Sequence, residues 1–336
     1  MGKFYFQWHI TNKCNNRCSH CYQDDYSQIE VSMDMVDNIL DDIKKFCEVI
    51  ECEPKIGFVG GDPFRHSRFK EILEKSRMVS NDINILGNPE VLLDNPSIID
   101  YLKKIGINSY QLSLDGLKDT HDSIRYRGSY DKTLKAIQLL SENGINVAVM
   151  STVTTNNYKE MKEVMDVAYS KGAMCWTFSR CVTDNKSLLI DTKEYMRFLE
   201  DIVRKHKYYE NLGKQPLVKE PLLSLVYKKL GYKNIQVWGC GIGGAMLTIM
   251  PDGEVMACRR HPGSSLGKWS EDNNFVNIFL FNKILKEFRE KSKINKCNEC
   301  NFIEECCGCR AIAYLNSGEN IYSEDPQCFK EYINIC

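Results

Sequence analysis

TNKCNNRCSHCY (residues 11–22) places Cys14, Cys18 and Cys21 on one loop, directly after a predicted strand over residues 4–10. Three thiolates in this C-x3-C-x2-C spacing can hold three irons of a 4Fe–4S cluster and leave the fourth iron without a protein ligand. Such an open iron can bind a small molecule and pass it an electron. A zinc ion would need a fourth ligand, for which His20 is the nearest candidate. The spacing favours the cluster and leaves zinc, or unconnected thiols, as open alternatives.

Cysteine is the unusual residue in the composition, with 16 in 336 residues, gathered near the two ends of the chain. No apolar run reaches the length of a membrane span or of a signal peptide, so we predict a cytoplasmic protein with no membrane partner. Because disulfides are disfavoured in a reducing cytosol, the clustered cysteines indicate metal sites. The 44 basic and 45 acidic residues give a formal charge of −1, which argues against a nucleic-acid partner.

Short apolar runs alternate with helical patterns through the first half of the chain. Helices are predicted over residues 33–47, with Ser32 as the N-cap, and over residues 69–79, 97–105, 131–142 and 158–170. Six strands are predicted, over residues 4–10, 55–59, 83–86, 109–114, 145–152 and 173–178. This alternation predicts an α/β fold with a parallel sheet, in the form of a partial (β/α)6, TIM-like barrel over residues 1–185. Ligands of such sheets bind at the carboxyl ends of the strands. The cysteine loop, Gly60–Pro63, Ser113–Gly116 and Ser179–Arg180 all follow predicted strands.

The rest of the chain changes in character. Residues 186–236 are predicted to form a helical bridge of two helices. Residues 237–336 are predicted to form a small, cysteine-rich domain, with a hairpin over residues 248–258 and a short helix over residues 284–291. A loop-rich region with many clustered thiols is expected to be organised by metal.

The cysteine loop resembles the opening of radical S-adenosylmethionine (SAM) enzymes, in which CxxxCxxC carries the reducing 4Fe–4S cluster. In that family the amino and carboxylate groups of SAM chelate the fourth iron. His20 stands where the family has an aromatic residue near the adenine. Gly60, Gly61 and Asp62, followed by a proline, are similar to the family's GGEP turn with Asp for Glu, whose backbone contacts the methionine amino group of SAM.

Two further segments extend the resemblance over residues 4–180. Ser113-Leu114-Asp115-Gly116 resembles the SLDG strand end, whose serine lies close to the SAM ribose, and we include Asp115 among the candidate SAM-binding residues. Arg125, in the string His121-Asp122-x-x-Arg125, is the family's candidate for the methionine carboxylate. Taken singly, each element has an ordinary interpretation as a turn or a surface ion pair. Their order and their placement at strand ends carry the resemblance.

The C-terminal cysteines resemble the SPASM extension, an auxiliary iron–sulfur domain of radical SAM enzymes that act on peptides and proteins. The pattern is Cys240-x12-Gly253-x4-Cys258, Cys297-x2-Cys300-x5-Cys306-x2-Cys309 and Cys328. The resemblance implies two auxiliary clusters of the 4Fe–4S type, one held by Cys240, Cys258 and Cys309 and the other by Cys297, Cys300, Cys306 and Cys328. A pair of zinc knuckles is the alternative.

Two points about these ligands stay open. The middle block is one residue shorter than the family form, so either Cys306 or Cys307 is the ligand. The first auxiliary cluster has three cysteines, because Met246 stands where some relatives have a further cysteine. It therefore has an open iron, or Cys307, Cys336 or a non-cysteine side chain closes it.

The remaining cysteines are predicted to have other roles. Cys47 and Cys52 are interpreted as packing residues. Cys175 and Cys181 flank the sixth strand, and a chemical role for either is less favoured.

The resemblance implies an enzyme that forms a 5′-deoxyadenosyl radical and modifies a ribosomally made peptide by an oxidative cross-link, such as a thioether or carbon–carbon bond. A sulfatase maturase that forms formylglycine is the first alternative, but Arg259 stands where its aspartate base would follow the second SPASM cysteine. A non-catalytic electron carrier or cluster scaffold is the alternative of another class. Arg259 and Arg260 either bind an acidic peptide or lie at the surface.

The predicted partners follow from the same resemblance. Reducing power would come from a flavodoxin or ferredoxin. Because the chain starts directly at the first strand, leader recognition would need a separate protein or another surface. No residue is assigned as the catalytic base.

Overall fold

Nine strands and twelve α-helices are present in the computed structural model, which describes residues 2–23, 25–214, 217–232 and 239–333. The strands are β1 (Gly2–His9), β2 (Cys52–Val59), β3 (Asp82–Leu86), β4 (Ser109–Ser113), β5 (Val147–Val153), β6 (Cys175–Arg180), β7 (Met246–Ile249), β8 (Glu254–Met256) and β9 (Ser265–Lys268). All six strands predicted for the first half of the chain are present, with bounds shifted by a few residues.

The helices include all those predicted from the periodicity of apolar residues. They are α1 (Met33–Ile50), α2 (Phe69–Arg77), α3 (Glu90–Asp94), α4 (Ser97–Ile105), α5 (Lys118–Ile124), α6 (Ser129–Glu142), α7 (Met161–Ser170), α8 (Thr192–Asn211), α9 (Leu223–Lys229), α10 (Phe275–Phe281), α11 (Lys283–Arg289) and α12 (Arg310–Leu315). The predicted cap of α1 is confirmed, since the Ser32 side chain accepts a hydrogen bond from the Met35 N–H at 3.2 Å. Among the described residues, no helix has the length and apolar character that a membrane crossing requires.

The chain divides into two compact units, and each is described by itself. Unit 1 comprises Met1–Leu112, Asp131–Val147 and Ile242–Arg289. Unit 2 comprises Ser113–Tyr130, Ala148–Gly241 and Glu290–Cys336. This division interleaves along the sequence, whereas the predicted domains at 1–185, 186–236 and 237–336 follow one another, and part of the predicted bridge lies outside the described residues.

The sheet of unit 1 begins with the parallel strands that the sequence predicts. β1 pairs with β2, β2 with β3 and β3 with β4, each in parallel. The α/β fold with a parallel sheet is therefore confirmed. In register, His9 at the end of β1 lies opposite Val59 at the end of β2. The cysteine loop and the Gly60-Gly61 turn consequently leave the sheet side by side.

The predicted C-terminal hairpin is confirmed, and the structure shows in addition where it lies in the sheet. β7 and β8 pair antiparallel around a turn in which Gly253 has φ +84°. β7 also pairs in parallel with β1, so that Trp8 lies opposite Ile249. The first strand of the chain thus has β2 on one side and a strand from the cysteine-rich third of the chain on the other.

An aromatic cluster fixes this C-terminal segment in unit 1. The rings of Phe4 and Phe46 are 4.7 Å apart, and Phe279 of α10 lies 5.4 Å from each of them. The buried carboxylate of Asp42 in α1 accepts hydrogen bonds from the indole N–H of Trp269 at 2.7 Å and the backbone N–H of Phe275 at 2.8 Å. Each buried aromatic ring contributes about 1.5 to 3 kcal/mol of hydrophobic stabilisation.

Unit 2 is built around the parallel pair β5 and β6 and a buried arginine. Arg180, at the end of β6, is 3% exposed and forms ion pairs with Glu220 at 2.9 Å and Asp325 at 2.6 Å. It also donates a hydrogen bond to the side-chain oxygen of Gln327 at 2.9 Å. A buried charge is tolerated only when it is fully paired, and here it ties the strand end to the C-terminal loops.

Candidate functional site

The cysteine loop presents its thiols to hydrogen-bond donors. The backbone N–H of Asn16 donates to the Cys14 sulfur at 3.4 Å, and that of Gln23 donates to the Cys21 sulfur at 3.4 Å. The side-chain amide of Asn88 donates to the Cys14 sulfur at 3.6 Å. Burial raises the pKa of the Cys14 thiol, and the bonds from Asn16 and Asn88 partly oppose that shift. Hydrogen bonds to sulfur favour the thiolate that an iron–sulfur cluster requires and help to set its potential.

Polar side chains around the loop hold its two ends together. The Gln23 amide donates to the carbonyl oxygens of Asn12 and Asp25, both at 2.7 Å. Asn12 in turn donates to the Asp25 carboxylate at 2.7 Å. Arg17 donates to the carbonyl oxygen of Cys14 at 2.8 Å. These bonds give an irregular loop a defined backbone, which a multi-cysteine ligand set needs.

Gly60 and Gly61 let the end of β2 lie against the backbone that leads into the cysteine loop. The N–H of Gly61 donates to the Thr11 carbonyl at 3.0 Å, and the N–H of Asp62 donates to the Lys13 carbonyl at 2.8 Å. A Cβ on Gly61 would overlap the Lys13 carbonyl oxygen, and Gly60 has φ +139°. In this chain, therefore, the close backbone contact that requires glycine at positions 60 and 61 is a contact with the segment that leads into the cysteine loop.

Gly61→Ala is expected to displace the Lys13 carbonyl and, with it, Cys14. We expect the variant to fold but to incorporate clearly less iron on anaerobic reconstitution, as measured by iron and sulfide content. Gly244→Ala is the matched control, because a Cβ there meets nothing within 4 Å and its φ is not positive. Equal iron content in the two variants would show that the turn does not position the loop.

Asp62 is buried at the end of this turn, with 3% of its surface exposed. Its carboxylate accepts a hydrogen bond from the Phe64 N–H at 3.2 Å. Burial raises the pKa of Asp62 to about 6, against the lowering effect of the Phe64 N–H, the Arg65 charge and a hydrogen bond from Asn88. Asn88 therefore bonds to both Asp62 and Cys14. The sequence interpretation missed Asn88, although it follows β3 at the same edge of the sheet, where the strand-end rule points.

The three candidates from the second half of the SAM-binding pattern lie in unit 2. Ser113 is half-buried at the end of β4. Asp115 is buried and forms an ion pair with Arg125 at 2.6 Å. The second Asp115 oxygen accepts a hydrogen bond from the Thr152 N–H at 2.7 Å, and its backbone N–H donates to His121 at 3.0 Å. Asp115 thus orients Arg125, and the predicted SAM contacts of all three stay predictions.

A cavity of about 220 Å³ in unit 2 is lined by thiols. Its cysteines are Cys297, Cys300, Cys306, Cys307 and Cys328. All four residues predicted for the second auxiliary cluster are therefore brought together, with Cys307 as a fifth. Among the described residues, no three His, Cys, Asp or Glu side chains are placed to bind a single metal ion. A cubane cluster binds each cysteine through a different iron, so a ring of separated thiols around a cavity fits it.

Both cysteines of the ambiguous pair face this cavity. Cys306 accepts a hydrogen bond from the Gly308 N–H at 3.4 Å. Cys307 has φ +47°, in the left-handed region, and its sulfur accepts a hydrogen bond from the backbone of Cys240. Burial raises the pKa of both thiols. The pair provides one thiol more than a four-cysteine cluster uses, and the choice between them stays open.

The ligands predicted for the first auxiliary cluster are divided between the units. Cys240 and Cys309 belong to unit 2, and Cys258 belongs to unit 1. The Cys309 N–H donates to the Asp325 carboxylate at 2.7 Å, which links this cysteine to the Arg180 network. Met246 begins β7. Cys336, one of the residues considered as a further ligand, lies outside the described residues.

Of the other cysteines, Cys47 is buried near the end of α1 and its thiol is hydrogen-bonded to that of Cys52. Cys175 and Cys181 are buried at the two ends of β6. The burial of Cys47, Cys175 and Cys181 agrees with a packing role.

Comparison with known proteins identifies the family. Residues 8–168, which contain the cysteine loop, the Gly60-Gly61 turn and the Asp115–Arg125 pair, match the model of the radical SAM superfamily. These residues form a radical SAM domain. S-adenosylmethionine and an iron–sulfur cluster are accordingly the cofactors of the domain. The three-cysteine loop, with its N–H···S bonds, fits that cluster.

Relatives of the chain that contains this domain match it over nearly its whole length. The AdoMet-dependent heme synthase of Methanosarcina barkeri is 23% identical, over 96% of this chain and 95% of the relative. Mycofactocin maturase MftC of Mycolicibacterium smegmatis is 25% identical, over 96% of this chain and 81% of the relative. The crystal structure of Streptococcus suis SuiB bound to its precursor peptide SuiA superposes with a TM-score of 0.73, at 15% identity, over 98% of this chain and 76% of SuiB. That likeness shows the same fold.

Proposed function

We propose that this radical SAM enzyme oxidatively cross-links a ribosomally made peptide, through a thioether or carbon–carbon bond. The observation that carries the proposal is the thiol-lined cavity of unit 2, present in addition to the cysteine loop of unit 1. An oxidation that starts with loss of a hydrogen atom leaves one further electron to remove, and a second iron–sulfur site can accept it. The resemblance to a mycofactocin maturase and to SuiB, solved with a precursor peptide, supports a peptide substrate.

The proposed cofactor site in unit 1 uses the cysteine loop and its neighbours. Cys14, Cys18 and Cys21 would each bind one iron, and SAM would complete the fourth. When bound, the cluster and SAM together supply a primary carbon radical that removes a hydrogen atom from the substrate. His20 would lie against the adenine, while the backbone at Gly60, Gly61 and Asp62 would meet the methionine amino group.

The residues of this chain have separable roles at that site. The N–H groups of Asn16 and Gln23 and the Asn88 amide stabilise the thiolate forms of Cys14 and Cys21. In unit 2, Asp115 holds the guanidinium of Arg125 in place for the methionine carboxylate, and Ser113 would approach the ribose. A guanidinium fixed by one carboxylate keeps donors free for a second, because it has five N–H groups.

The proposed auxiliary sites lie in the C-terminal cysteines. Cys297, Cys300, Cys306 and Cys328 would hold a cluster in the cavity. Cys240, Cys258 and Cys309 would hold the other, whose fourth iron is available to a substrate thiolate if no further side chain binds it. A flavodoxin or ferredoxin would supply electrons, and a separate leader-binding protein would present the peptide.

Two other functions are weighed against this proposal. Heme synthesis is the second candidate, because a heme synthase is similar to the chain over nearly its full length. Formylglycine formation is less favoured, because Arg259 stands at the position of the expected base. A non-catalytic electron carrier would not need a radical SAM domain.

The test is co-expression of the enzyme with each short cysteine-containing open reading frame beside its gene, followed by mass spectrometry of the peptide. A mass loss of two hydrogens is expected, and fragmentation locates the new bond. A Cys14→Ala enzyme serves as the inactive control. An unchanged mass for every peptide, together with turnover of a porphyrin by the purified enzyme, would replace the peptide proposal by heme synthesis.

A further inference from the structure

A buried histidine at the end of β1 has an unused hydrogen-bonding atom. His9 is 1% exposed, and its Nε2 has no hydrogen-bond partner among the described residues. Burial lowers the pKa of His9 to about 3, and the charge of Arg259 contributes in the same direction. The imidazole is therefore neutral, and an unpartnered buried nitrogen costs about 1 to 3 kcal/mol. A polar group left in this state beside a cofactor loop points to a ligand.

Arg259 provides a second unpartnered donor in the same place. Its Nε is buried without a hydrogen-bond partner, and within the described residues Arg259 forms no ion pair. Its guanidinium carbon lies 5.4 Å from the centre of the Tyr22 ring. The Tyr22 ring lies 6.1 Å from the His9 ring, nearly perpendicular to it. Arg259 and His9 thus flank one exposed tyrosine, all within unit 1.

The chemistry of Arg259, His9 and Tyr22 indicates which kind of ligand they would bind. A guanidinium is a permanent cation with parallel N–H donors that match a carboxylate, and a neutral imidazole and a phenol can each add one neutral donor. Tyr22 directly follows Cys21, and Arg259 directly follows Cys258. A carboxylate held here would place the neighbouring atoms of its molecule beside the cysteine loop.

We propose that Arg259, His9 and Tyr22 bind a side-chain carboxylate of the substrate, so that the substrate is an acidic peptide with Asp or Glu close to the modified residue. This inference rests on the proposed peptide-modifying function. It also explains why an arginine occupies the position at which a maturase would have its aspartate base. The methionine carboxylate of SAM is the other source of the same chemistry, and the experiment separates the two.

The experiment compares binding of two small peptide-like probes to the full, reconstituted chain by saturation-transfer NMR. The probes are N-acetylglutamate N-methylamide and its glutamine analogue, which has the same shape without the charge. We expect the glutamate probe to bind at least tenfold more tightly than the glutamine probe. Arg259→Gln should abolish that difference, and His9→Phe should reduce the affinity for the glutamate probe several-fold.

Arg68→Gln is the matched control, because it removes the same charge from a surface pair with Glu71 and should change neither probe. SAM affinity is measured on each variant by calorimetry. Unchanged SAM affinity in Arg259→Gln supports the substrate site. Loss of SAM affinity, or equal binding of both probes to the parent protein, would overturn it. These measurements need no peptide turnover. A failure of the proposed carboxylate site can therefore be distinguished from a failure of the proposed cross-linking function.

Discussion

An enzyme in which Cys14, Cys18 and Cys21 are all replaced by alanine is expected to lose all reductive cleavage of SAM and about four irons per chain. The reason is that no other described thiol stands on this loop. The N–H donors of Asn16 and Asn88 are directed at the Cys14 sulfur, and that of Gln23 at the Cys21 sulfur. Iron and sulfide content, the EPR spectrum of the dithionite-reduced protein and the yield of 5′-deoxyadenosine measure the effect.

Cys52→Ala is the control for that experiment, because Cys52 begins β2 at the opposite end of the strand from the glycine turn. The Cys52→Ala variant should keep the full iron content and the full yield of 5′-deoxyadenosine. The auxiliary clusters should survive in the triple variant, so a remaining EPR signal is expected. SAM cleavage by the triple variant, or zinc in the loop of the anaerobically purified parent protein, would refute the assignment of the cluster.

Replacement of Arg180 by methionine is expected to destabilise the protein by about 3 to 5 kcal/mol, because it leaves two buried carboxylates without their counter-charge. The side chains of Glu220 and Asp325 are only 3% and 1% exposed. Urea unfolding under anaerobic conditions measures the change. Arg68→Gln should cost about 0 to 1 kcal/mol, since its ion pair with Glu71 is exposed to solvent. Similar values for the two variants would contradict the role of the buried network.

The effect of pH on stability should also differ between the parent protein and Arg180→Met. Burial by itself would raise the pKa of Asp325, but Arg180 and the hydrogen bonds from the Cys309 and Gln327 N–H groups hold it below its ordinary value of 3.8. Stability from a carboxyl with a depressed pKa is fully present above that ordinary value and is lost as the pH falls through the folded value. The parent should therefore lose stability below pH 3.8, while the deficit of Arg180→Met should shrink on acidification because the buried Asp325 carboxyl becomes neutral.

The Arg180 network also bears on the auxiliary site. Asp325 lines the thiol cavity and accepts the hydrogen bond from the Cys309 N–H. Gly308 lies against Asp325 so closely that a Cβ would overlap its side chain. The buried ion pairs consequently hold the loop that carries Cys306, Cys307 and Cys309, and Arg180→Met is expected to lower auxiliary iron content as well as stability.

Local patterns were sufficient to predict most elements of the fold. The six strands and the capped helix α1 follow from apolar periodicity and from Ser32, because the signals for them lie within a few residues of the element. The hairpin of β7 and β8 was predicted from Pro251-Asp252-Gly253. Its parallel pairing with β1 was not, because strands more than two hundred residues apart leave no mutual signal in a single sequence.

In the candidate site, too, some residues could be predicted from the sequence and others could not. The spacing of Cys14, Cys18 and Cys21 predicted the cofactor loop, because three ligands within eight residues must lie near one another. Asn88 was missed, since a lone asparagine after a strand is usually a turn residue. The unpartnered Nε2 of His9 and the position of Arg259 were beyond prediction, because burial and the absence of a partner are properties of the packed chain.

The sequence by itself thus located the cysteine loop and the six strands along the chain, because residues that are close in sequence need no folding to be near one another. Tertiary structure decided which distant groups meet: β7 beside β1, five thiols around one cavity, and Arg259 with His9 beside Tyr22. The physical reason is that those contacts depend on how buried faces pack and on which polar atoms are left unpaired. A local sequence pattern predicts neither of these.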